Sequence, residues 1–273
     1  MGKFDKKIPE TVPSRYAGLV DAVQSGWFNQ ESNELFRGFA ISSSDVVLDF
    51  GCGEGAAGLF SAQRGAHIVL ADIEPTVIAR VEERIRQEAN PRKIESLISD
   101  ATPLHLPDDY ASKIVCMEVL EHIEEPLDIL SELVRVGEPG AQYLLTVPGA
   151  KGEQMQQRVA PESYFREPNH LHIFEREDFV GLVEESGLAV EDYSQSGFFW
   201  VMWMNLFWAS EAAEGNTLDG PIRDRIVPPF DKNLDRWASL WLKLISTPQG
   251  RAFKTEMDAL LPKNQVILAR KIN

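Results

Sequence analysis

The residues best suited to chemistry begin at Asp49-Phe50-Gly51-Cys52-Gly53-Glu54-Gly55, a turn with glycine at every second position from 51 to 55, directly after a β-branched run. Glycines after a strand let a ligand approach the backbone, and nucleotide-binding folds of several chemistries use them. Ala56 stands three residues after Gly53, so the spacing by itself leaves a nicotinamide-dependent oxidoreductase open. The acids nearby point elsewhere. Asp49 precedes the first glycine, Asp72 lies 21 residues after Gly51, and Asp100 falls in Ile98-Ser99-Asp100-Ala101. A carboxylate at a strand end can accept hydrogen bonds from both hydroxyls of a ribose, and another can take the exocyclic amine of an adenine. A fourth strand runs into Met117-Glu118-Val119-Leu120-Glu121-His122-Ile123. Four successive strand ends therefore offer polar groups suited to one ligand with an amino-acid end, a ribose and an adenine.

Five histidines are candidates for proton transfer. His67 opens a buried strand and His105 sits between two prolines, so both read as structural or solvated. His122, His170 and His172 are the catalytic candidates. In an extended segment His170 and His172 share one face, with Leu171 and Ile173 on the other. Glu118, Glu121 and His122, at spacings of three and four, would project from one face of a helical turn. With His170 they form a fallback ligand set for a divalent cation orienting an acceptor with adjacent hydroxyls, although no metal is expected. Cys52 reads as a small packed residue.

The elements that must position these groups alternate short apolar runs with longer helical stretches from Asp45 onward, the pattern of a parallel sheet with crossover helices. Strands are expected at Val46–Phe50, His67–Ala71, Ile94–Ser99, Lys113–Met117, Gln142–Val147, Leu188–Tyr193 and Gln265–Arg270, and helices at Gly55–Arg64, Pro75–Glu88, Pro126–Val136 and Arg176–Ser186. Thr11–Ala40 reads as helices preceding the first strand, and Phe198–Leu261 as a largely helical insertion. All six tryptophans, Trp27, Trp200, Trp203, Trp208, Trp237 and Trp241, lie outside Ala40–Gln195, which suggests an aromatic cover over the sheet's carboxyl edge.

Composition narrows the function classes. Among 273 residues, 27 Lys and Arg against 42 Asp and Glu give a net charge of −15, so broad binding to nucleic acid is not expected. Only two cysteines, Cys52 and Cys116, fall in segments reading as buried sheet or its edge, which suits reduced thiols and a cytoplasmic location. The N-terminus reads as a mobile arm without a signal-peptide core. The most apolar run, Gly197–Ala209, is 13 residues, shorter than the roughly 20 a membrane-spanning helix needs. Its aromatics, with Trp237 and Trp241 sharing a helix face, suit packing first, and otherwise a hydrophobic acceptor pocket or weak contact with a membrane surface.

Val47-Leu48-Asp49-Phe50-Gly51-Cys52-Gly53-Glu54-Gly55, Asp72, Asp100-Ala101 and Cys116-Met117-Glu118-Val119-Leu120-Glu121-His122, together with Asn169-His170-Leu171-His172-Ile173-Phe174, resemble the class I S-adenosylmethionine-dependent methyltransferases, in the branch that includes the ubiquinone-biosynthesis O-methyltransferases. The resemblance spans roughly Ser42 to Ser194. It implies an α/β, Rossmann-like fold: a mostly parallel seven-stranded sheet with helices on both faces, covered by the N-terminal helices and the insertion. The implied organisation is 1–40 as arm and helical cap, 41–197 as the cofactor-binding core, 198–262 as a helical lid and 263–273 as the final strand. The implied cofactor is S-adenosyl-L-methionine, with S-adenosyl-L-homocysteine as product. Gly51 and Gly53 would approach its methionine part, Asp72 would hold the ribose, Asp100 and Ala101 would flank the adenine, Met117 and Glu118 would line the other side, and Asp49 and Ile73 would be further cofactor-binding residues. Similar Glu-x-x-Glu-His arrangements hold metals in some relatives, and many relatives carry the same letters without metal. The acceptor is expected to be a small molecule or glycan, methylated at oxygen; a nicotinamide-dependent oxidoreductase and a non-catalytic cofactor-binding subunit are the competing readings.

Overall fold

The computed structural model describes residues 8–99, 103–165, 169–215 and 230–272. The expected arm at 1–7 and the adenine-flanking Asp100 and Ala101 lie outside the described residues. The chain divides into two compact units, one made of Gly26–Val147, Phe174–Ser194 and Val266–Asn273, the other of Met1–Ser25, Pro148–Ile173 and Gln195–Gln265.

In chain order the elements are α1 (Ser14–Gln24), β1 (Trp27–Asn29), β2 (Glu34–Phe36), β3 (Phe39–Ala40), β4 (Val46–Phe50), α2 (Ala56–Ala62), β5 (His67–Asp72), α3 (Pro75–Glu88), β6 (Lys93–Ile98), β7 (Ala111–Met117), α4 (Pro126–Val136), β8 (Gly137–Pro148), α5 (Ala150–Gln156), α6 (Arg176–Glu185), β9 (Leu188–Ser196), α7 (Phe198–Ala213), α8 (Lys232–Ile245), α9 (Pro248–Leu260) and β10 (Asn264–Lys271). A seven-stranded sheet runs β6-β5-β4-β7-β8-β10-β9. β4 pairs in parallel with both β5 and β7, β5 with β6, and β7 with β8.

The central strands are buried on both faces, which is why they read as continuous apolar runs rather than alternating ones. Leu48, Phe50, Val69, Ala71, Ile114 and Cys116 pack with α4 (Ile129, Leu130, Leu133) and α6 (Phe179, Val183). Their neighbours Val47, Ile68, Leu70 and Val115 pack into a second cluster with α2 (Leu59, Phe60) and α3 (Ile78, Val81, Ile85). Successive strand side chains thus serve opposite layers. Chain order reverses between β4 and β7: β4 leads outward to β5 and β6, and the chain then returns to β7. Open α/β sheets bind ligands beside the carboxyl ends of strands at such a switch point.

One expectation fails here. Thr11–Ala40 is not all helix: α1 ends at Gln24, and Trp27–Ala40 forms a small antiparallel sheet in the order β1-β2-β3. Left-handed backbone at Gly26 (φ 104°), Phe28 (φ 54°), Asn33 (φ 57°) and Gly38 (φ 86°) breaks every helical turn in that stretch. Trp27 consequently belongs to the sheet-containing unit, where its ring centroid lies 4.7 Å from that of Phe36.

The other five tryptophans lie in the second unit, built from α1, α5, α7, α8 and α9. Phe199, Trp203, Trp208 and Trp241 are fully buried there. Trp237 and Trp241 share a face of α8, their rings 5.5 Å apart. The unit also buries a charge cluster. Lys254 Nζ lies 3.1 Å from Asp21 Oδ1 and 2.5 Å from Asp258 Oδ2, and Trp241 Nε1 donates to Asp21 Oδ1 at 2.7 Å. Burial holds the Asp21 carboxyl above its ordinary value, with the Lys254 ammonium opposing that rise. Among the described residues no helix is long and apolar enough to cross a membrane.

Candidate active site

β4 delivers the chain to Gly51, whose φ is +68°, followed by Gly53 at +48° and Gly55 at +73°. Three left-handed residues in five positions cost glycine far less than any residue with a Cβ. The turn is anchored to the neighbouring strand, since the Gly51 and Cys52 N–H groups both donate to Ala71 O, at 2.8 and 3.2 Å. Two of the glycines are required sterically as well. A Cβ on Gly51 would lie 2.3 Å from Val119 Cγ2, and one on Gly55 would lie 2.4 Å from Val81 Cγ1. Among the described residues, a Cβ on Gly53 would meet nothing closer than Gly51 O at 3.8 Å.

Asp49 is 3% exposed, and its Oδ2 accepts the Gly58 N–H at 2.8 Å, tying α2 to β4. Burial pushes its carboxyl up to about 7, opposed by that hydrogen bond and reinforced by the charge of Asp72. Its observed partner is therefore the scaffold beneath the turn. Cys52 and Cys116 are buried free thiols, and desolvation raises both well above the usual thiol value, which makes them inert.

Asp72 ends β5 with its carboxylate fixed by two backbone donors: Gly53 N–H to Oδ2 at 3.2 Å and Glu74 N–H to Oδ1 at 3.0 Å. Ile73, next in sequence, is 67% exposed, and Ile98, at the end of the adjoining β6, is 61% exposed. A carboxylate preset beside the glycine turn, with an exposed aliphatic side chain next to it, fits a ribose carrying a flat base.

β7 ends at Met117, which is half-buried. Glu118 has φ +55°; its N–H donates to Thr146 O at 3.0 Å and its Oε1 accepts from Thr146 Oγ1 at 3.1 Å. The expected helical face of Glu118, Glu121 and His122 does not form. The left-handed backbone at Glu118 stops helical register, and only Leu120–His122 makes a 3-10 turn, with the Glu121 side chain 1% and the His122 side chain 35% exposed.

The three candidate histidines are divided. His122 belongs to the sheet-containing unit, with Nε2 3.8 Å from Glu121 Oε1. His170 and His172 belong to the helical unit, in a stretch without regular strand. His170 Nδ1 lies 2.6 Å from Glu153 Oε2, and its ring centroid is 4.8 Å from that of Tyr164. Glu153 is a residue that the sequence reading did not single out, and its side chain is 1% exposed. His67 pairs with Glu95 at 2.7 Å and His105 is exposed.

A family model described as a methyltransferase domain matches residues 28–193, more than half of the chain. The chain belongs to that family. The ubiquinone biosynthesis O-methyltransferase of Aeromonas salmonicida is 25% identical over 189 residues, covering 64% of this chain and 73% of that protein. A probable S-adenosylmethionine-dependent methyltransferase of Mycolicibacterium smegmatis is 26% identical over 209 residues, 72% of this chain and 79% of that one. Among solved structures, geranyl diphosphate methyltransferase in complex with S-adenosylmethionine shares the fold at TM-score 0.51 and 13% identity, covering 95% of this chain and 85% of that one. The [4+2]-cyclase SpnF shares it at TM-score 0.55 and 18% identity, covering 97% and 98%. The methyltransferase thus has the Rossmann-like sheet expected of an S-adenosylmethionine-dependent enzyme. Since the fold also carries a protein named as a cyclase, the activity rests on the family and its relatives rather than on architecture.

Proposed function

We propose that this methyltransferase transfers the methyl group of S-adenosylmethionine to an oxygen of a small molecule or glycan. In this reading Gly51 and Gly53 admit the methionine end of the cofactor, Asp72 takes the ribose hydroxyls, and Ile73 lies against the adenine. Asp100 and Ala101 complete the adenine side, and Met117 and Glu118 line the face opposite the turn. Asp49 supports the turn from below. The observation that carries the reading is the Asp72 carboxylate held by the Gly53 and Glu74 N–H groups at 3.2 and 3.0 Å, beside the glycine turn. The relatives named as ubiquinone biosynthesis O-methyltransferases support oxygen as acceptor atom.

The bound cofactor supplies a methyl group already activated by a positively charged sulfur. What falls to the protein is orientation of the acceptor and removal of its proton. His122, His170 and His172 are the candidates for the second task. Incubating the protein with labelled cofactor and fractionated metabolite extract should yield one labelled acceptor, with the label resistant to the mild hydrolysis that cleaves a methyl ester. Calorimetry should show S-adenosylhomocysteine binding and no binding of NAD. Binding of NAD in preference to S-adenosylhomocysteine overturns the reading.

A further inference from the structure

We infer that Asp49 is the residue that distinguishes the cationic cofactor from its neutral-sulfur product: it yields its proton to solvent when the cofactor binds and regains one after the methyl group has left. The inference rests on the cofactor reading proposed above and names what selects between the two forms. Every residue it uses lies in the sheet-containing unit. Asp49 is 3% exposed, and among the described residues its carboxyl has a single hydrogen-bond partner, the Gly58 N–H at 2.8 Å on Oδ2. The groups around it bring no free positive charge. The Asp72 carboxylate on β5 acts on it, and the Cys52 and Cys116 thiols, which feel its charge from the turn and from β7, are buried and un-ionised. α2, with the sequence AAGLFSA, contributes the Gly58 N–H and no ionisable side chain. The nearby cations of α3 are exposed and committed to the outer side of the turn: Arg80 Nη2 lies 3.1 Å from Glu54 Oε1, and Arg84 Nη1 donates to Glu54 O at 3.2 Å.

A buried carboxyl without a counter-charge either keeps its proton or acquires a cation. Elsewhere the chain supplies that cation itself, setting Lys254 between Asp21 and Asp258. Beneath the glycine turn it does not, and burial together with Asp72 pushes the Asp49 carboxyl up to about 7. The chemistry that fits such a place is a positive charge brought by the ligand. S-adenosylmethionine carries one at sulfur and one at its amino-acid nitrogen, whereas S-adenosylhomocysteine keeps only the second. An opposite charge nearby favours the ionised form of a carboxyl by roughly 10- to 1000-fold, and by linkage the ionised carboxyl favours the cation by the same factor. The sign follows directly. In acid Asp49 is protonated and discriminates little; as pH rises through 7 it ionises more readily and favours the ligand with the charged sulfur. After methyl transfer Asp49 faces one cation fewer and regains its proton from solvent, so the product is held less tightly than the cofactor.

Calorimetry on the full-length protein tests this without turnover. At pH 6 a carboxyl raised to about 7 is about nine-tenths protonated. Titration with S-adenosylmethionine in buffers of different ionisation enthalpy should therefore show release of roughly 0.4–0.9 proton, and S-adenosylhomocysteine should release less. Between pH 5.5 and 8 the preference for S-adenosylmethionine over S-adenosylhomocysteine should grow about fivefold or more. In D49N, whose amide oxygen can still accept the Gly58 N–H, the released proton should disappear and the preference should change by less than about twofold over the same range. A preference independent of pH in the wild type, no proton released at pH 6, or the same pH response in D49N overturns the role of Asp49. Should D49N fold poorly, the two wild-type outcomes still decide. Failure of the wild type to bind either ligand overturns the cofactor reading instead.

Discussion

Gly51→Ala is the substitution whose cost the structure allows to be worked out most fully. The left-handed φ of +68° at this position costs an alanine roughly 1–2 kcal/mol. The new Cβ would also stand 2.3 Å from Val119 Cγ2, where ordinary contact begins at 3.4 Å. The valine cannot clear that distance by rotating a flexible tip, because it is β-branched. Overpacking of this kind adds roughly 1–3 kcal/mol, so G51A should lose roughly 2–5 kcal/mol in all. The two contributions are separable. Val119→Ala removes the atom that is struck and leaves the backbone cost untouched, so G51A/V119A should show a favourable coupling of about 1–3 kcal/mol over the sum of the single variants. Urea unfolding followed by circular dichroism measures the four corners of this cycle. Calorimetry with S-adenosylhomocysteine should show G51A weakened tenfold or more, since the turn must move to relieve the strain. A G51A protein as stable as wild type, or a V119A background that returns none of the loss, refutes the reasoning.

Three further outcomes follow from the same geometry. Asp72→Ala removes two charge-assisted acceptor positions, each worth about 1.5–3 kcal/mol; S-adenosylhomocysteine should bind at least about tenfold more weakly by calorimetry, and unchanged affinity would exclude Asp72 from the ribose. Asp49, with its folded value raised from 3.8 to about 7, stays protonated in the folded state at pH values where the unfolded chain has already ionised, so its contribution to stability declines as pH rises from about 4 to 7. Between pH 5 and 8 that decline should reach about 3 kcal/mol in the ligand-free protein, and D49N should flatten it; parallel pH slopes for the two proteins would contradict the burial argument. Lys254→Met leaves Asp21 and Asp258 without a counter-charge and should cost about 3–5 kcal/mol at neutral pH, the deficit narrowing in acid as Asp21, whose carboxyl burial already raises, takes up a proton; a deficit independent of pH would place the loss in packing instead.

Legibility in the sequence followed the range of the interactions. β4 and β5 stood out because Val46-Val47-Leu48 and Ile68-Val69-Leu70 are apolar on both faces, a pattern forced by layers on each side. α3 and α4 were found to the residue because Pro75 and Pro126 open them and apolar spacing carries them through. Trp27–Ala40 was misread since its strands are two or three residues long and are shaped by turns at Gly26, Asn33 and Gly38 rather than by any period. The helical face expected at Glu118–His122 failed for a related reason, a single left-handed residue that spacing does not announce. The partners of buried charges were invisible: Glu153 and His170 are 17 residues apart, and Asp21 and Lys254 are 233 apart.

This division explains why the cofactor half of the chemistry could be read and the acceptor half could not. The proposed cofactor contacts are made by backbone conformation and by strand-end carboxylates, both encoded by a few adjacent letters. Every one of those residues, from Asp49 to Glu118, falls inside the matched stretch 28–193. The aromatic helices α7, α8 and α9 begin at Phe198, beyond it. Relatives at 25–26% identity can therefore share the glycine turn and Asp72 while differing in what they methylate, because recognition of an acceptor needs side chains gathered from distant segments, and such gatherings leave no local pattern. Glu153 illustrates the point within the matched stretch itself: its letter is ordinary, and its 1% exposure and its 2.6 Å contact with His170 appear only in the folded chain.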